Sequence, residues 1–409
     1  MGFGSPQFLM IYFVYSLILF TVCVFSVTSS QDYLVQTLVN YIPKEIAFFF
    51  IGSLTIAYSF INKKVNGARL NSKYLFAFLA FIIFQFVWYF YRPIAMIDVN
   101  GGYSFNMTIL RPFINIFIGV ILIKILAESL VNKEWIKIFT LLVWVGFLLS
   151  VYSILQWFGI DWSNGLMEVN YINGVPAKKE LMYTFLSHRT LTSSYIALTV
   201  PLCLMFKEVK YKIFLVFMII SLSLSDSLVA IVAVILSVLL FFLLSKKFKV
   251  VLLIILLSAT GLILLNRTHQ GFLKDSGRIA MWKQATKDVL HKKPFIGYGP
   301  GSFSRKYDVI GNRDGGDMVI LFAHNDYIQG LSIGGLPLLA ILIAYTISLL
   351  YRGISNIAKD YFIMDIALMC CLTSLIIISN GTFLFHYPPL AVLGILYISY
   401  IEYRHSIRS

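Results

Sequence analysis

A histidine, an amide and a carboxylate stand side by side at His324, Asn325 and Asp326, just before an apolar stretch that begins at Leu331. Polar side chains at the end of an apolar span cost free energy unless they face a cavity or a substrate. An imidazole can accept a proton near neutral pH, as a general base does. We therefore predict that His324 is the centre of an active site.

Arg278 is the first basic candidate to accompany this cluster. Residues 276–290 have the pattern of an amphipathic helix, with Ser276 as its N-cap and Pro294 just beyond its end. The helical period places four apolar residues on one face: Ile279, Trp282, Val289 and Leu290. Arg278 then lies in the first turn, where the helix dipole disfavours a cation and attracts an anion. Its position indicates that the guanidinium binds a phosphate group.

Arg189 lies beside His188 and just before another apolar stretch. It is either a second anion ligand or an ordinary interfacial anchor. The polar segments contain neither Asp-x-Asp nor His-Glu-x-x-His, and they hold no other metal-spaced cluster. A histidine with arginines suits a metal-free and cofactor-free reaction with a pyrophosphate leaving group and a hydroxyl nucleophile.

The composition is that of an integral membrane protein. Of 409 residues, 59% are hydrophobic and only 13% are charged, against about 25% charged in soluble domains. Separate apolar runs of roughly 20 residues indicate an all-α fold with about twelve transmembrane helices rather than a barrel. The predicted spans are 8–29, 44–61, 74–91, 109–127, 136–158, 190–206, 213–224, 227–244, 250–265, 330–351, 361–379 and 383–401. The short 213–224 span, with its serines, could equally be a broken helix pair.

Lysine and arginine counts predict the orientation. The short loops at 63–73, 133–137, 207–212, 246–249, 352–359 and 404–408 together hold sixteen. The opposite loops hold six, namely Lys44, Arg92, Arg111, Lys178, Lys179 and Arg189. The first set is therefore expected to be cytoplasmic, together with both termini, and His324 is expected on the outer side.

Residues 266–329 form an outer segment long enough to fold as a small cap. The sequence thus divides into transmembrane helices 1–9 (residues 1–265, with an outer loop at 159–189), this cap, and helices 10–12 with the tail (residues 330–409). The cap carries ten basic residues against five acidic ones up to His324, which indicates either an anionic partner or contact with anionic headgroups. The Gly297–Gly301 stretch lacks the lysine of a P-loop, and we interpret it as a tight turn that folds the cap back.

These residues together resemble the O-antigen ligase / Wzy-type polymerase superfamily. The resemblance is carried by an ordered set: Arg189, Gly277-Arg278 with Trp282, Pro294, Gly297-x-Gly299, His324-Asn325 and Gly334-Gly335. It implies a GT-C-like membrane protein with about twelve spans and a large periplasmic loop between two late spans. Such proteins move a glycan from undecaprenyl diphosphate to an acceptor.

The resemblance also implies roles for individual residues. Arg189 and Arg278 would bind the diphosphate, and His324 would activate the acceptor hydroxyl or hold it in place. Asn325 and Asp326, which would orient His324, and Tyr89 and Tyr91 near the donor are further substrate-binding candidates. Trp282, in the ordered set, and His188, as the neighbour of Arg189, complete these candidates. The chain departs from the family pattern at Ser225-Asp226-Ser227, where relatives often have Ser-Arg, and at Ser332-Ile333-Gly334, where a glutamate is common.

Three interpretations remain open. The first is a ligase of the bacterial inner membrane that joins the glycan to lipid A–core on the periplasmic side. The second is a polymerase that joins repeat units on the carrier. The third is a transporter of the lipid-linked glycan, for which polar residues near the midplane and paired repeats would be typical. The expected partners are the lipid-linked glycan, its acceptor and membrane lipids, and not nucleic acid.

Overall fold

The computed structural model describes residues 6–23, 33–62, 80, 83, 111–160, 171–172, 175–176, 182, 184–186, 188–225, 227–247, 278–299, 323–382 and 384–407. Within these ranges the fold is helical, apart from a small antiparallel hairpin of β1 (Tyr171–Ile172) and β2 (Val175–Pro176). The α-helices are α1 (Pro6–Cys23), α2 (Tyr33–Asn62), α3 (Arg111–Ser129), α4 (Asn132–Trp157), α5 (Arg189–Cys203), α6 (Val209–Ser225), α7 (Leu228–Leu244), α8 (Arg278–Lys292), α9 (Asp326–Lys359), α10 (Ile363–Ser379) and α11 (Pro388–Ser406).

Each predicted span within the described residues overlaps one of these helices, although α2 begins well before the 44–61 span and α9 ends well after the 330–351 span. The spans at 74–91 and 250–265 lie outside the described residues, apart from 80 and 83, so the count of twelve stays a prediction. By length and apolar composition, two of the described helices could cross a bilayer, α4 and α9. Shorter apolar stretches occupy Leu9–Val22, Leu228–Leu244 and Ile363–Ser379. Helix α6 is unbroken over 213–224 and ends at Ser225, and α7 begins at Leu228, so the alternative of a broken helix pair stays a prediction.

Helix α11 lies at the centre of the bundle. Its residues from Pro388 to Arg404 are buried, as expected of a helix that is apolar all round. It packs against α1, α2, α3, α5, α9 and α10. Near its C-terminus the Arg404 guanidinium donates to both Asp365 oxygens, at 2.9 and 2.8 Å, and Glu402 pairs with Arg352. These buried ion pairs hold α9, α10 and α11 together at the end remote from Arg189 and His324.

Helix α9 is broken at Gly335, whose φ of 67° and ψ of −160° are non-helical. The break and Pro337 leave the carbonyls of Ser332 and Ile333 without their helical partners. The backbone N–H groups of Tyr298 and Gly299 bond these two carbonyls, at 2.7 and 2.9 Å. The released N–H of Leu336 donates in turn to the Pro294 carbonyl at 2.7 Å. The 294–299 turn thus supplies hydrogen-bond partners for the backbone groups released at the break in α9. The prediction that this glycine stretch is a structural turn is confirmed.

The same turn fixes α8 in place. A Cβ on Gly297 would lie 2.5 Å from the Ile333 carbonyl oxygen, so the two backbones meet without side chains between them. On α8 itself the buried residues are Met281, Ala285 and Val289. The predicted apolar face was therefore wrong for Ile279 and Leu290, which are exposed. Because α8 lies close to residues 323–328, only side chains that fit the narrow space between them are buried there. The larger side chains of Ile279 and Leu290 face outward.

We expect Gly335→Ala to lower the apparent melting temperature of the detergent-solubilised protein markedly. The new Cβ would clash with the Pro294 carbonyl oxygen, and the φ and ψ of Gly335 lie in a region essentially restricted to glycine, which costs another residue about 1–3 kcal/mol. Gly159→Ala is the matched control, because Gly159 also has a positive φ, of 84°, but its Cβ would meet no atom within 4 Å. Equal decreases in melting temperature for both variants in a thermal unfolding assay would contradict the close contact of the 294–299 turn with the break in α9.

Candidate active site

The starts of three helices meet at one end of the bundle. His188 and Arg189 begin α5, Arg278 begins α8, and His324 directly precedes the N-cap of α9. The Arg278 charge lowers the pKa of both His188 and His324, so these three side chains are electrostatic neighbours. The structure therefore brings together the three residues predicted as catalytic, with His188 among them.

Each arginine is anchored to the backbone of a neighbouring turn. Arg189 Nη1 donates to the Ser225 carbonyl at 3.3 Å, where α6 ends. Arg278 Nη1 donates to the Gly381 carbonyl at 3.1 Å, just after α10 ends. Helix C-termini carry partial negative charge, so both anchors are electrostatically favourable. The two guanidinium groups are thus held in defined orientations at the same end of the fold.

His188 forms the N-cap of α5. Its Nδ1 accepts a hydrogen bond from the Thr190 N–H at 3.1 Å. Burial, followed by the charges of Arg189 and Arg278, lowers its pKa to about 4. The residue is nevertheless exposed, so its neutral imidazole is accessible to solvent.

His324 has an unusual backbone. Its φ of 51° lies in the left-handed region, where an L-residue is strained by about 1–2 kcal/mol. Strain of this kind clusters at functional sites. Burial is the main cause that lowers the pKa of His324 to about 3, followed by the charges of Arg278 and His188. The imidazole is thus neutral at physiological pH and available as a proton acceptor.

Asn325 and Asp326 hold the segment that carries His324. The Asn325 Oδ1 accepts from the N–H groups of Tyr327 and Ile328, both at 3.0 Å, which caps α9. Its Nδ2 donates to the backbone and side-chain oxygens of Asn380, at 3.3 and 3.4 Å. Asp326 accepts from the Leu384 N–H at 3.2 Å. These bonds fix the segment that carries His324, and the predicted roles of both residues at the site stay predictions.

Trp282 joins α8 to the same segment. Its indole Nε1 donates to the Ala323 carbonyl at 2.6 Å, and its ring packs with Met281, Ala285 and Ile328. The amide oxygen of Gln329 accepts the Ala323 N–H at 2.9 Å, so both polar groups of Ala323 are bonded. Trp282 therefore positions His324 through Ala323. Its predicted contact with substrate is untested.

The turn at Asn380–Leu384 was missed from the sequence. It supplies the partners of Arg278, Asn325 and Asp326, and so connects the starts of α8 and α9 to the end of α10. An Asn-Gly pair after an apolar run is a turn signal that could have pointed to it. Two predicted substrate ligands, Tyr89 and Tyr91, lie outside the described residues. So does Asp226, although the neighbouring Ser225 contacts Arg189.

We expect neither His188 nor His324 to titrate between pH 5.5 and 8, because both pKa values lie well below the usual 6.5. Replacing Arg278 by Gln should raise both pKa values, since a cation nearby disfavours the protonated imidazole. Lys283→Gln, an exposed change on the same helix, is the control. The measurement is a pH titration of ¹³C-labelled histidine resonances assigned by substitution. A midpoint near 6.5 for either ring would contradict this account.

Comparison with known proteins gives one family. Residues 213–343 match the model of a family described as O-antigen ligase (Wzy_C). No curated protein matches the chain. The matched segment contains Arg278, His324 and the break in α9, and it begins after Arg189. The resemblance derived from the sequence is supported over residues 213–343, where the chain is similar to the O-antigen ligase family, whose members are membrane-associated, glycosyltransferase-like ligases and polymerases.

Proposed function

We propose that the protein transfers a glycan from undecaprenyl diphosphate to a sugar hydroxyl of lipid A–core at the periplasmic face of the bacterial inner membrane. The single observation that supports this most is the meeting of two anchored arginines with two neutral imidazoles at one end of the bundle. Two guanidinium groups match the charge of a diphosphate, and a neutral imidazole can accept the proton of a hydroxyl.

The reaction is a direct displacement at the anomeric carbon. The acceptor hydroxyl attacks this carbon, its proton passes to His324, and the bond between the carbon and the diphosphate oxygen breaks. The leaving undecaprenyl diphosphate gains negative charge, which Arg189 and Arg278 neutralise. An anion bound beside His324 also favours the imidazolium, so donor binding raises the pKa of His324 from its low value in the free protein. The base is thus strengthened when the substrate is in place.

Two other functions compete with this proposal. A polymerase would use the same residues on the same donor, and differs only in an acceptor that is itself carrier-linked. A transporter would need its ionisable groups along a path through the membrane. The grouping of Arg189, Arg278 and His324 at helix starts favours a reaction at one surface over passage through the bundle.

We expect Arg278→Lys to be nearly as damaging as Arg278→Ala. A lysine supplies the charge but not the planar fork that binds a phosphate while another N–H is anchored on Gly381. Loss of such a stabiliser typically costs about 10²–10³ in rate. The measurement is the rate of glycan transfer by the purified protein, with Lys283→Ala as a control on the same helix. Near-normal transfer by the lysine variant would refute bidentate binding.

For His324, an alanine and a glycine variant separate the imidazole from the backbone. Both should lose roughly 10²–10⁴ in transfer rate, the usual contribution of a general base. Only glycine accepts the φ of 51° without strain, so His324→Gly should melt at a higher temperature than His324→Ala. The two quantities are read from a transfer assay and a thermal unfolding curve. Intact transfer in either variant would remove His324 from catalysis.

The test of the function itself is a gel of lipopolysaccharide from a strain that lacks the gene, with the lipid-linked glycan pool beside it. Bare core with long glycan on the carrier is the result expected of a ligase. Core that carries a single repeat unit would identify a polymerase. Bare core with only short, cytoplasm-facing carrier intermediates would identify a transporter and overturn the catalytic assignment of His324.

A further inference from the structure

We propose that His188 binds the diphosphate of the lipid-linked substrate through a ring N–H. The helix cap keeps the proton on this ring nitrogen, so that the nitrogen donates a hydrogen bond. This inference rests on the proposed donor, and it assigns a specific atom of the chain to the leaving group. It does not depend on the identity of the acceptor. It therefore holds for the ligase and for the polymerase alike.

The cap determines which ring nitrogen carries the proton. A backbone N–H can only donate, so the bond from Thr190 N–H at 3.1 Å requires a lone pair on Nδ1. The single proton of the neutral ring must then be on Nε2. Nε2 is consequently a donor, and its orientation is set by the start of α5. Among the described residues, the Thr190 N–H is the hydrogen-bond partner that the structure gives to this ring.

The surroundings of the ring indicate what Nε2–H would bind. His188 is accessible to solvent, and the two residues whose charges act on it are Arg189 and Arg278, the proposed diphosphate ligands. Burial, together with these cations, keeps the imidazole neutral, and the cations would attract an anion to the same place. A neutral N–H adds a hydrogen bond to a phosphate oxygen without adding a third positive charge that the two arginines would repel.

A simple cap does not account for the choice of histidine. Serine, threonine, aspartate and asparagine satisfy a helix N-terminus with a shorter side chain and are the preferred residues there. Histidine has the acceptor that the cap needs, Nδ1, and also a second polar atom, Nε2, on the opposite side of the ring. At residue 188, Nε2 is the polar atom that a smaller capping side chain could not supply.

Two substitutions separate the two ring nitrogens. Asparagine places an acceptor where Nδ1 lies and removes the distal donor, so His188→Asn keeps the cap. Glutamine can place an N–H donor near the position of Nε2 and loses the cap, so His188→Gln keeps the proposed ligand. The readouts are the apparent melting temperature and the Kd for undecaprenyl diphosphate, measured on the full-length protein in detergent.

We expect His188→Asn to bind undecaprenyl diphosphate roughly 10- to 100-fold more weakly with an unchanged melting temperature, because a hydrogen bond to a charged group is lost. His188→Gln should bind within a few-fold of the original chain and melt at a lower temperature. Binding by His188→Asn within twofold of the original would overturn the inference, whether or not the glutamine variant folds. Failure of the unsubstituted protein to bind undecaprenyl diphosphate would instead overturn the proposed donor.

Discussion

The geometry of the site depends on how the protein satisfies the backbone groups released by the break in α9. In an apolar environment an unpaired carbonyl or N–H costs several kcal/mol, so the break at Gly335 needs partners from elsewhere in the chain. The 294–299 turn provides them for Ser332, Ile333 and Leu336. Because the turn directly follows α8 and the broken helix begins beside His324, one set of backbone bonds fixes Arg278 relative to His324.

Electrostatics then gives these side chains their chemical states. The arginines are anchored on the carbonyls of Ser225 and Gly381, so their charges cannot move away from the histidines. Burial, together with the charge of Arg278, holds both imidazoles neutral. A diphosphate that binds here would contact two cations, and its negative charge would raise the pKa of His324, which the positive charge of Arg278 lowers. The pKa of His324 would therefore differ between the free site and the site with bound diphosphate.

Much of the fold could be predicted because apolar runs and helix ends are local signals. The starts of α5 and α8 beside Arg189 and Arg278 follow from the pattern of residues around them. The prediction of which face α8 buries was wrong. The small Ala285 and the flexible Met281 fit where α8 lies close to residues 323–328, and the hydropathy of the sequence does not show how close this packing is. The bond between Arg278 and Gly381 joins residues 103 positions apart, and His324 has a left-handed backbone although it is not a glycine. Neither has a local signature.

The contact between the 294–299 turn and α9 is made by main-chain atoms. Gly297 and Gly335 lie where any side chain would meet a carbonyl group, while the neighbouring Phe295 and Leu336 point outward and are exposed. A junction of this kind leaves no hydrophobic or charged pattern in a sequence, only glycine and proline at fixed spacing. Pro294, Gly297 and Gly335, three positions of the resemblance to the ligase family, are therefore the places where one backbone meets another.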